Sequence, residues 1–184
     1  MRQPLKLVPP MKPAMDDADA LARVARGDVG ALGEVYDRHA RSLLSFAARA
    51  VGRHHAEDIV QSTFVCAAKV ASTYDARGAS ARSWLFGIAA RLVQQRRRSF
   101  ARLARALLRF DLAASSSPEG EARNDLQKGL LRLSEAKRVV LLLAEVEGFT
   151  CEEIATMLEI PVGTVWTRLH HARREMRVFY EETR

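Results

Sequence analysis

The chain has little cysteine: Cys66 and Cys151 are the two such residues in 184. They stand far apart, and neither belongs to a CxxC motif or to a Cys/His spacing typical of zinc sites. Neither a disulfide framework nor a structural metal site is therefore expected. This cysteine usage is typical of a reducing cytosol. We expect a cytoplasmic protein that holds no metal.

Long apolar runs are also absent. The first residues, MRQPLKLVPPMKPAMDD, are interrupted by Pro4, Pro9, Pro10 and Pro13. A signal peptide needs an apolar core of about seven residues or more, and a membrane helix needs about twenty. We interpret residues 1–17 as a disordered leader and expect no membrane insertion.

Motifs that carry catalysis are missing as well. The chain has neither a G-x-x-x-x-G-K-[ST] phosphate loop nor a G-x-S-x-G nucleophile elbow. Its histidines, His39, His54, His55, His170 and His171, form no ligand set with acids at helical spacing. The two adjacent pairs point about 100° apart on a helix, which disfavours joint chelation of one ion. We expect no enzyme, no cofactor and no small-molecule substrate.

Basic charge is abundant. The formal net charge is +7, and the 29 basic residues are 5 Lys and therefore 24 Arg. A polyanionic partner fits this balance, with nucleic acid first and an anionic membrane surface second. Arginine suits bidentate contacts to phosphates and base edges, although a GC-rich genome produces the same bias.

Apolar residues recur at helical spacing along the whole chain, and no strand alternation is present, so the fold class is all-α. Breaks are expected at Gly27–Asp28, at Val51–His55 and in the loop Ser72–Ser80. A small, polar stretch, Asp111–Asn124, is typical of a linker. The pattern predicts two small helical domains, 18–100 and 125–184, joined by a flexible linker. Residues 101–124 comprise a basic helix extension and that linker.

A helix-turn-helix is predicted near the end, in GFTCEEIATMLEIPVGTVWTRLHHAR. Thr150 and Glu153 have capping-box spacing, and Pro161 fits an early position of the second helix. The break between the two helices is only about three residues long. Glu159 stands in the turn where many such motifs use glycine for a left-handed conformation, a departure that costs about 1 kcal/mol.

The second helix of this motif has two distinct faces. At 100° per residue Val165, Leu169, Ala172 and Met176 fall together and face the core. The outward face carries hydroxyl, imidazole and guanidinium groups: Thr167, His170, His171, Arg174 and Arg177. Such groups donate to phosphates and base edges in a major groove. A solvated face on an ordinary helical hairpin is the alternative, and the motif by itself favours DNA.

Three stretches in this order resemble a known family. They are HAEDIVQSTFVCAAK (His55–Lys69), SWLFGIAARLVQQRRR (Ser83–Arg98) and GFTCEEIATMLEIPVGTVWTRLHHARREMR (Gly148–Arg177). The chain resembles, over roughly residues 18–180, the extracytoplasmic-function (ECF) group of bacterial sigma-70-type RNA polymerase sigma factors. The resemblance makes 18–100 a region 2 domain that docks on polymerase and recognises and melts the −10 element. It makes 125–184 a region 4 domain that recognises the −35 element.

The resemblance assigns site residues in three groups. Polymerase docking falls to one exposed helix face at i, i+3 and i+7: Asp58, Gln61 and Val65. Contacts to the −10 element, including a pocket for a flipped base, fall to Tyr74, Arg77, Arg91, Gln94, Gln95, Arg96, Arg97 and Arg98. Contacts to the −35 element fall to Thr164, Trp166, Thr167, Arg168, His170, His171, Arg174 and Arg177.

Of the two tryptophans, Trp166 has two open interpretations. Trp166 lies on the flank of the second helix, where the family often has a basic residue. It either contacts DNA sugar or methyl groups or packs on the preceding helix. Trp84 is interpreted as core packing rather than as a wedge that melts DNA.

The partners implied by the resemblance are the RNA polymerase core, through its β and β′ subunits, promoter DNA and an anti-sigma factor. The last of these could hold the protein at the membrane. A different class stays open, a stand-alone helix-turn-helix regulator whose N-terminal helical domain dimerises. A peripheral membrane protein using the basic stretch Arg91–Arg109, with seven arginines and no acid, is a third interpretation, but it leaves the terminal motif unexplained.

Overall fold

The structure is a computed structural model that describes residues 16–108 and 125–183, with side chains given for 16–96 and 125–183. Throughout these residues the regular structure is helical, which confirms the predicted fold class. The predicted leader, up to residue 15, and the linker residues 109–124 lie outside the described part of the chain. The α-helices are α1 (Asp17–Ala25), α2 (Leu32–Val51), α3 (Arg53–Val70), α4 (Ala81–Leu108), α5 (Asp125–Arg132), α6 (Glu135–Leu141), α7 (Cys151–Leu158) and α8 (Val162–Glu182).

The N-terminal domain consists of α1 to α4 around a core of large apolar side chains. Leu43, Phe46, Leu85 and Phe86 are buried, and the rings of Phe46 and Phe86 meet edge to face with centroids 5.5 Å apart. Aromatic pairs prefer this geometry because the positive edge of one ring faces the negative face of the other.

The break between α2 and α3 is shorter than the sequence pattern predicts. Instead of the stretch Val51–His55, a single residue, Gly52, separates the two helices. Gly52 adopts φ 92° and its N–H donates to the Ala48 carbonyl at 3.0 Å. Positive φ is accessible to glycine without a steric penalty, so one residue suffices to turn the chain.

Helix α1 begins inside the segment interpreted as leader. Asp16 caps it, and Asp17 at its first position accepts from Arg38 Nε at 2.6 Å and lies 2.7 Å from His39 Nε2. These contacts fasten α1 to α2.

The C-terminal domain contains α5 to α8. Helix α6 continues as a π-helical turn, Leu142–Val146, and the chain then turns at Gly148 with φ 74°. Ser134 occupies the N-cap of α6, as expected, but among the described contacts its hydroxyl makes no capping bond. Its carbonyl accepts the first hydrogen bond of the helix, from the Arg138 N–H at 2.9 Å.

The two domains share one hydrophobic core. Buried side chains of α2 and α4 are continuous with those of α6, α7 and α8. The rings of Phe86 and Phe149 meet edge to face at 5.4 Å across the domain boundary. The sequence pattern predicts two domains on a joint, and the structure adds that their apolar surfaces cover each other.

Candidate nucleic-acid interface

The first helix of the C-terminal motif starts at the predicted capping box. The Thr150 Oγ1 accepts from the Glu153 N–H at 3.2 Å, and the Thr150 N–H donates to Glu153 Oε2 at 2.8 Å. Both otherwise unpaired donors are thereby satisfied. The box fixes where α7 begins and so positions the turn that follows.

The turn between α7 and α8 contains the left-handed residue that the sequence implied. Glu159 has φ 54° and ψ 46° and is the one non-glycine residue with positive φ in the described chain. Pro161 stands one position earlier than expected: it is the N-cap of α8 rather than a helical residue. Its carbonyl accepts from the N–H groups of Thr164 and Val165.

Helix α8 has the two faces that its periodicity predicts. Val165, Leu169, Ala172 and Met176 are all buried against the rest of the domain. The opposite face is exposed at Thr167, His170, His171, Arg174 and Arg177. The exposed face carries donors and cations at helical spacing, so it presents hydrogen-bonding groups along one line.

The first turns of α8 combine polar and apolar groups. Trp166 is 58% exposed, so most of the indole faces solvent. The Thr167 hydroxyl donates back to the Gly163 carbonyl at 2.9 Å, within its own helix. Thr164 and Arg168 are half-buried at the edges of this face.

Basic groups on α8 differ in their partners. The rings of His170 and His171 are 5.7 Å apart, edge to face. Arg173, which the sequence did not single out, donates its Nε to Glu145 Oε1 at 2.8 Å. For Arg174 and Arg177 no acidic partner is found among the described contacts. Those two exposed guanidinium groups are therefore available to phosphates.

On α4 the arginines assigned to the −10 element make intramolecular contacts. Arg91 pairs with the carboxylate of Glu159, the turn residue of the C-terminal motif. Arg96 places Nη2 2.7 Å from His55 Nδ1 and Nη1 3.4 Å from Asp58 Oδ2. The structure therefore brings one −10 candidate to the helix-turn-helix and another to the candidate docking face.

The other −10 candidates are distributed along and before α4. Gln94 is half-buried and Gln95 exposed. Arg97 and Arg98 continue the helix, but their side chains lie outside the described ones.

In the preceding loop Tyr74 packs on Trp84, with centroids 5.3 Å apart, while Arg77 is exposed. Burial, followed by the carboxylates of Asp16, Asp17 and Asp75, raises the pKa of Tyr74 above its usual value. The phenol therefore keeps its proton to a higher pH than an ordinary tyrosine does.

The candidate docking residues share one exposed face of α3. Asp58, Gln61 and Val65 all lie at the surface, and the Val65 side chain is 55% exposed. An apolar side chain of that exposure beside a carboxylate and an amide is a surface suited to an amphipathic, basic helix. Asp58 differs from its neighbours because it also contacts Arg96.

Sequence reasoning missed one cluster, at the domain boundary. Arg82 donates to the Glu147 carbonyl at 3.0 Å and to its Oε2 at 2.7 Å. Its guanidinium also lies 4.4 Å from the centroid of the Phe149 ring. Burial raises the pKa of Glu147 above its usual value, and the nearby cations Arg82 and Arg49 partly offset that effect. No local pattern signals this pairing, because its members are 65 positions apart.

The described residues contain neither a metal-binding cluster nor a membrane-spanning helix. No group of three or more His, Cys, Asp or Glu side chains in that part of the protein is arranged to hold a metal ion. Within the same residues, none of the helices has the length and apolar character that crossing a membrane requires.

Comparison with known proteins finds a family match for each half of the chain. Residues 35–103 match the family model of sigma-70 region 2, and residues 123–176 match that of sigma-70 region 4. The ECF RNA polymerase sigma factor SigL of Mycobacterium tuberculosis is 33% identical over 175 residues, which cover 88% of this chain and 97% of SigL. The chain belongs to the ECF sigma factors.

Other relatives agree with that assignment. The ECF sigma factor SigW of Bacillus subtilis is 29% identical over 176 residues, covering 85% of this sigma factor and 92% of SigW. A solved structure of CnrH in complex with the cytosolic domain of CnrY aligns with a TM-score of 0.64 at 27% identity, covering 90% of this chain and 97% of CnrH. The resemblance inferred from three sequence stretches is confirmed, and a stand-alone regulator is not favoured.

Proposed function

We propose that this sigma factor binds core RNA polymerase and directs initiation at promoters by contacting a −35 element with α8 and a −10 element with α4. The main support for this proposal is that α8 has one buried and one exposed face. A buried apolar row fixes its orientation, and the opposite row of donors and cations stays exposed. We propose domain bounds of 18–100 and 125–184, joined through residues 101–124.

Recognition of the −35 element is assigned to the exposed face of α8. Arg174 and Arg177 suit phosphates, and His170 with the first-turn side chains suits base edges in a major groove. The exposed ring of Trp166 supports contact with DNA sugar or methyl groups rather than packing on α7. Thr164, Thr167, Arg168 and His171 complete this surface.

Recognition and melting of the −10 element are assigned to α4 and the loop before it. Arg91, Gln94, Gln95 and Arg96 lie on α4, and the same helix continues through Arg97 and Arg98. Tyr74 and Arg77 stand in the adjoining loop, where an aromatic ring and a guanidinium can hold a base taken out of the stack.

The partners follow from these surfaces. Asp58, Gln61 and Val65 are proposed to dock on a basic, amphipathic helix of the polymerase β′ subunit, with further contacts to β. An anti-sigma factor is a further proposed partner, because the sigma factor RpoE of Bartonella quintana, which has a similar fold, was solved in complex with the anti-sigma factor NepR. We propose that the protein acts in the cytoplasm as an initiation factor without catalytic activity of its own.

Run-off transcription with purified bacterial core polymerase tests the proposal. The template is a pool of promoter fragments from the source genome, with and without this protein. Asp58→Ala combined with Gln61→Ala is expected to lower specific initiation at least tenfold. Glu181→Ala, which removes an exposed carboxylate near the end of α8, is the matched control and is expected to have no effect.

A stand-alone helix-turn-helix regulator, the alternative class of protein, would give a different result in the same assay. No stimulation of core polymerase, together with tight dimeric binding to duplex DNA by the protein alone, would overturn the proposal and establish a regulator. If initiation is insensitive to the α3 double substitution, the protein is still a sigma factor, but its docking surface lies elsewhere.

A further inference from the structure

The loop between α3 and α4 is fastened at both ends. Tyr74, where the loop begins, donates its N–H to the Ala71 carbonyl at 3.1 Å, and its ring packs on Trp84. At the other end the Ser80 hydroxyl accepts from the Ser83 N–H at 3.0 Å, in the first turn of α4. The ends are therefore held by the adjoining helical segments, whereas the middle of the loop is exposed.

Asp75 accepts the hydrogen bonds that hold the middle of this loop. Its carbonyl accepts from the N–H groups of Gly78 and Ala79, both at 3.2 Å, and its Oδ1 accepts from the Arg77 N–H at 2.9 Å. Aspartate at the first position of a turn and glycine at the fourth are residues that such a turn favours. One residue therefore fixes the backbone at Arg77 and directly after it.

The carboxylate of Asp75 is directed into the turn. A Cβ atom placed on Gly78 would lie 3.5 Å from Asp75 Oδ2, and the other oxygen, Oδ1, binds the Arg77 N–H. Both carboxylate oxygens thus lie against the backbone of the loop. The Arg77 side chain is exposed on the same turn. The acid is therefore placed to shape the loop, and the guanidinium is placed to meet a ligand.

We infer that Asp75 is a positioning residue for −10 recognition, which pre-forms the turn that presents Arg77, beside Tyr74, to a base taken out of the stack. The inference rests on the proposed assignment of Tyr74 and Arg77 to the −10 element. A turn that is formed in advance spares promoter opening the entropic cost of ordering the loop. Asp75 itself contacts no DNA in this role.

The charge of Asp75 by itself opposes DNA binding. After burial, the carboxylates of Asp16, Asp17 and Asp75 are the causes that raise the pKa of the Tyr74 phenol. The loop therefore lies in an acidic part of a chain whose net charge is +7. Negative charge repels phosphates, so the charge of Asp75 and its acceptor oxygen have opposite effects on −10 binding. Asparagine separates the two, because it keeps an acceptor oxygen and carries no charge.

Promoter opening by the holoenzyme tests the inference, measured by permanganate oxidation of unpaired thymines near −10 at a temperature where wild type opens partly. Asp75→Ala removes the acceptor and is expected to lower the equilibrium constant for opening about two- to tenfold. Asp75→Asn keeps the acceptor for the Arg77 N–H and is expected to open at least as much promoter as wild type. Ser72→Ala, an exposed change just before the loop, is the control and should have no effect.

A double-mutant cycle with Arg77→Ala distinguishes positioning from a general loss of structure. If Asp75 acts through Arg77, the variant with both alanines is expected to open promoter as Arg77→Ala alone does. Closed-complex binding to the −35 element and the thermal unfolding temperature are expected to stay unchanged in every variant. A merely structural role would instead make the two effects additive and lower the unfolding temperature.

The outcomes separate the inference from the proposed function. If Asp75→Ala opens promoter like wild type, or if Asp75→Asn is as defective as Asp75→Ala, the inference is wrong and the proposed function stands. Additive effects in the cycle would likewise exclude positioning through Arg77. Opening that is unaffected by Arg77→Ala would refute the −10 assignment of that residue, and the inference with it.

Discussion

The guanidinium of Arg138 in α6 donates a 2.6 Å hydrogen bond to the Ala50 carbonyl at the end of α2, 88 positions earlier in the chain. The Nη2 of the same guanidinium donates to the carbonyls of Leu131 and Leu133 at 3.2 and 3.0 Å. A cation at the C-terminal end of α2 is also favoured by the helix dipole. One buried side chain therefore joins the two domains through carbonyls that the helices leave unpaired.

Arg138→Met is expected to lower the free energy of unfolding by about 2–3 kcal/mol. The methionine fills similar volume, but the three carbonyls lose a charged donor, and buried unpaired acceptors are costly. Urea unfolding followed by circular dichroism measures the change. Arg53→Met, at an exposed position of α3, is the control and should stay within about 0.5 kcal/mol. Equal effects in the two variants would contradict the role assigned to Arg138.

Thr150→Ala is expected to destabilise the C-terminal domain by about 1 kcal/mol, because the capping box loses its hydroxyl acceptor. Combining it with Glu153→Ala should cost less than the sum of the single changes, since both residues act in one motif. Thermal unfolding of the four proteins in this cycle measures the coupling. Thr156→Ala, on the same helix but outside the box, is the control. Strict additivity would indicate that the two side chains act separately.

Trp166→Ala and Arg174→Ala are expected to weaken −35 binding in distinguishable ways. Trp166→Ala removes about 40 Å² of apolar contact. This costs about 1 kcal/mol of binding free energy, or about fivefold in affinity, with no change in salt dependence. Removing one phosphate contact should instead reduce the slope of log K against log salt by about 0.9. Holoenzyme binding to a promoter fragment at several salt concentrations separates the two effects. A changed slope in Trp166→Ala would place that residue near a phosphate.

Glu147→Gln is expected to flatten the dependence of stability on pH. Because burial raises the pKa of Glu147 in the folded protein, the folded state holds its proton more tightly than the unfolded chain. That contribution is fully present below the unfolded pKa, near 4.5, and is lost as pH rises through the raised folded value. Urea unfolding between pH 4 and 7 should show wild type losing stability relative to Glu147→Gln. The opposite trend would mean that Arg82 outweighs burial.

Much of the site could be inferred from the sequence because its signals are local. Thr150 and Glu153 are three residues apart, so their reciprocal hydrogen bonds follow from helix geometry alone. The buried row of Val165, Leu169 and Met176 follows from the period of 3.6 residues. Even the left-handed Glu159 was indicated by its place between two helical patterns.

The sequence by itself determined the helical fold class, the capping box, the two faces of α8 and the family, since each depends on spacing within a few turns or on short stretches. Only the tertiary structure decided that Arg91 meets Glu159, Arg82 meets Glu147 and Arg138 meets Ala50. Those pairs join groups 65 to 88 positions apart in the chain. Helix periodicity specifies which side of a helix is apolar, but the choice of partner across the boundary depends on how two finished domains fit together in space.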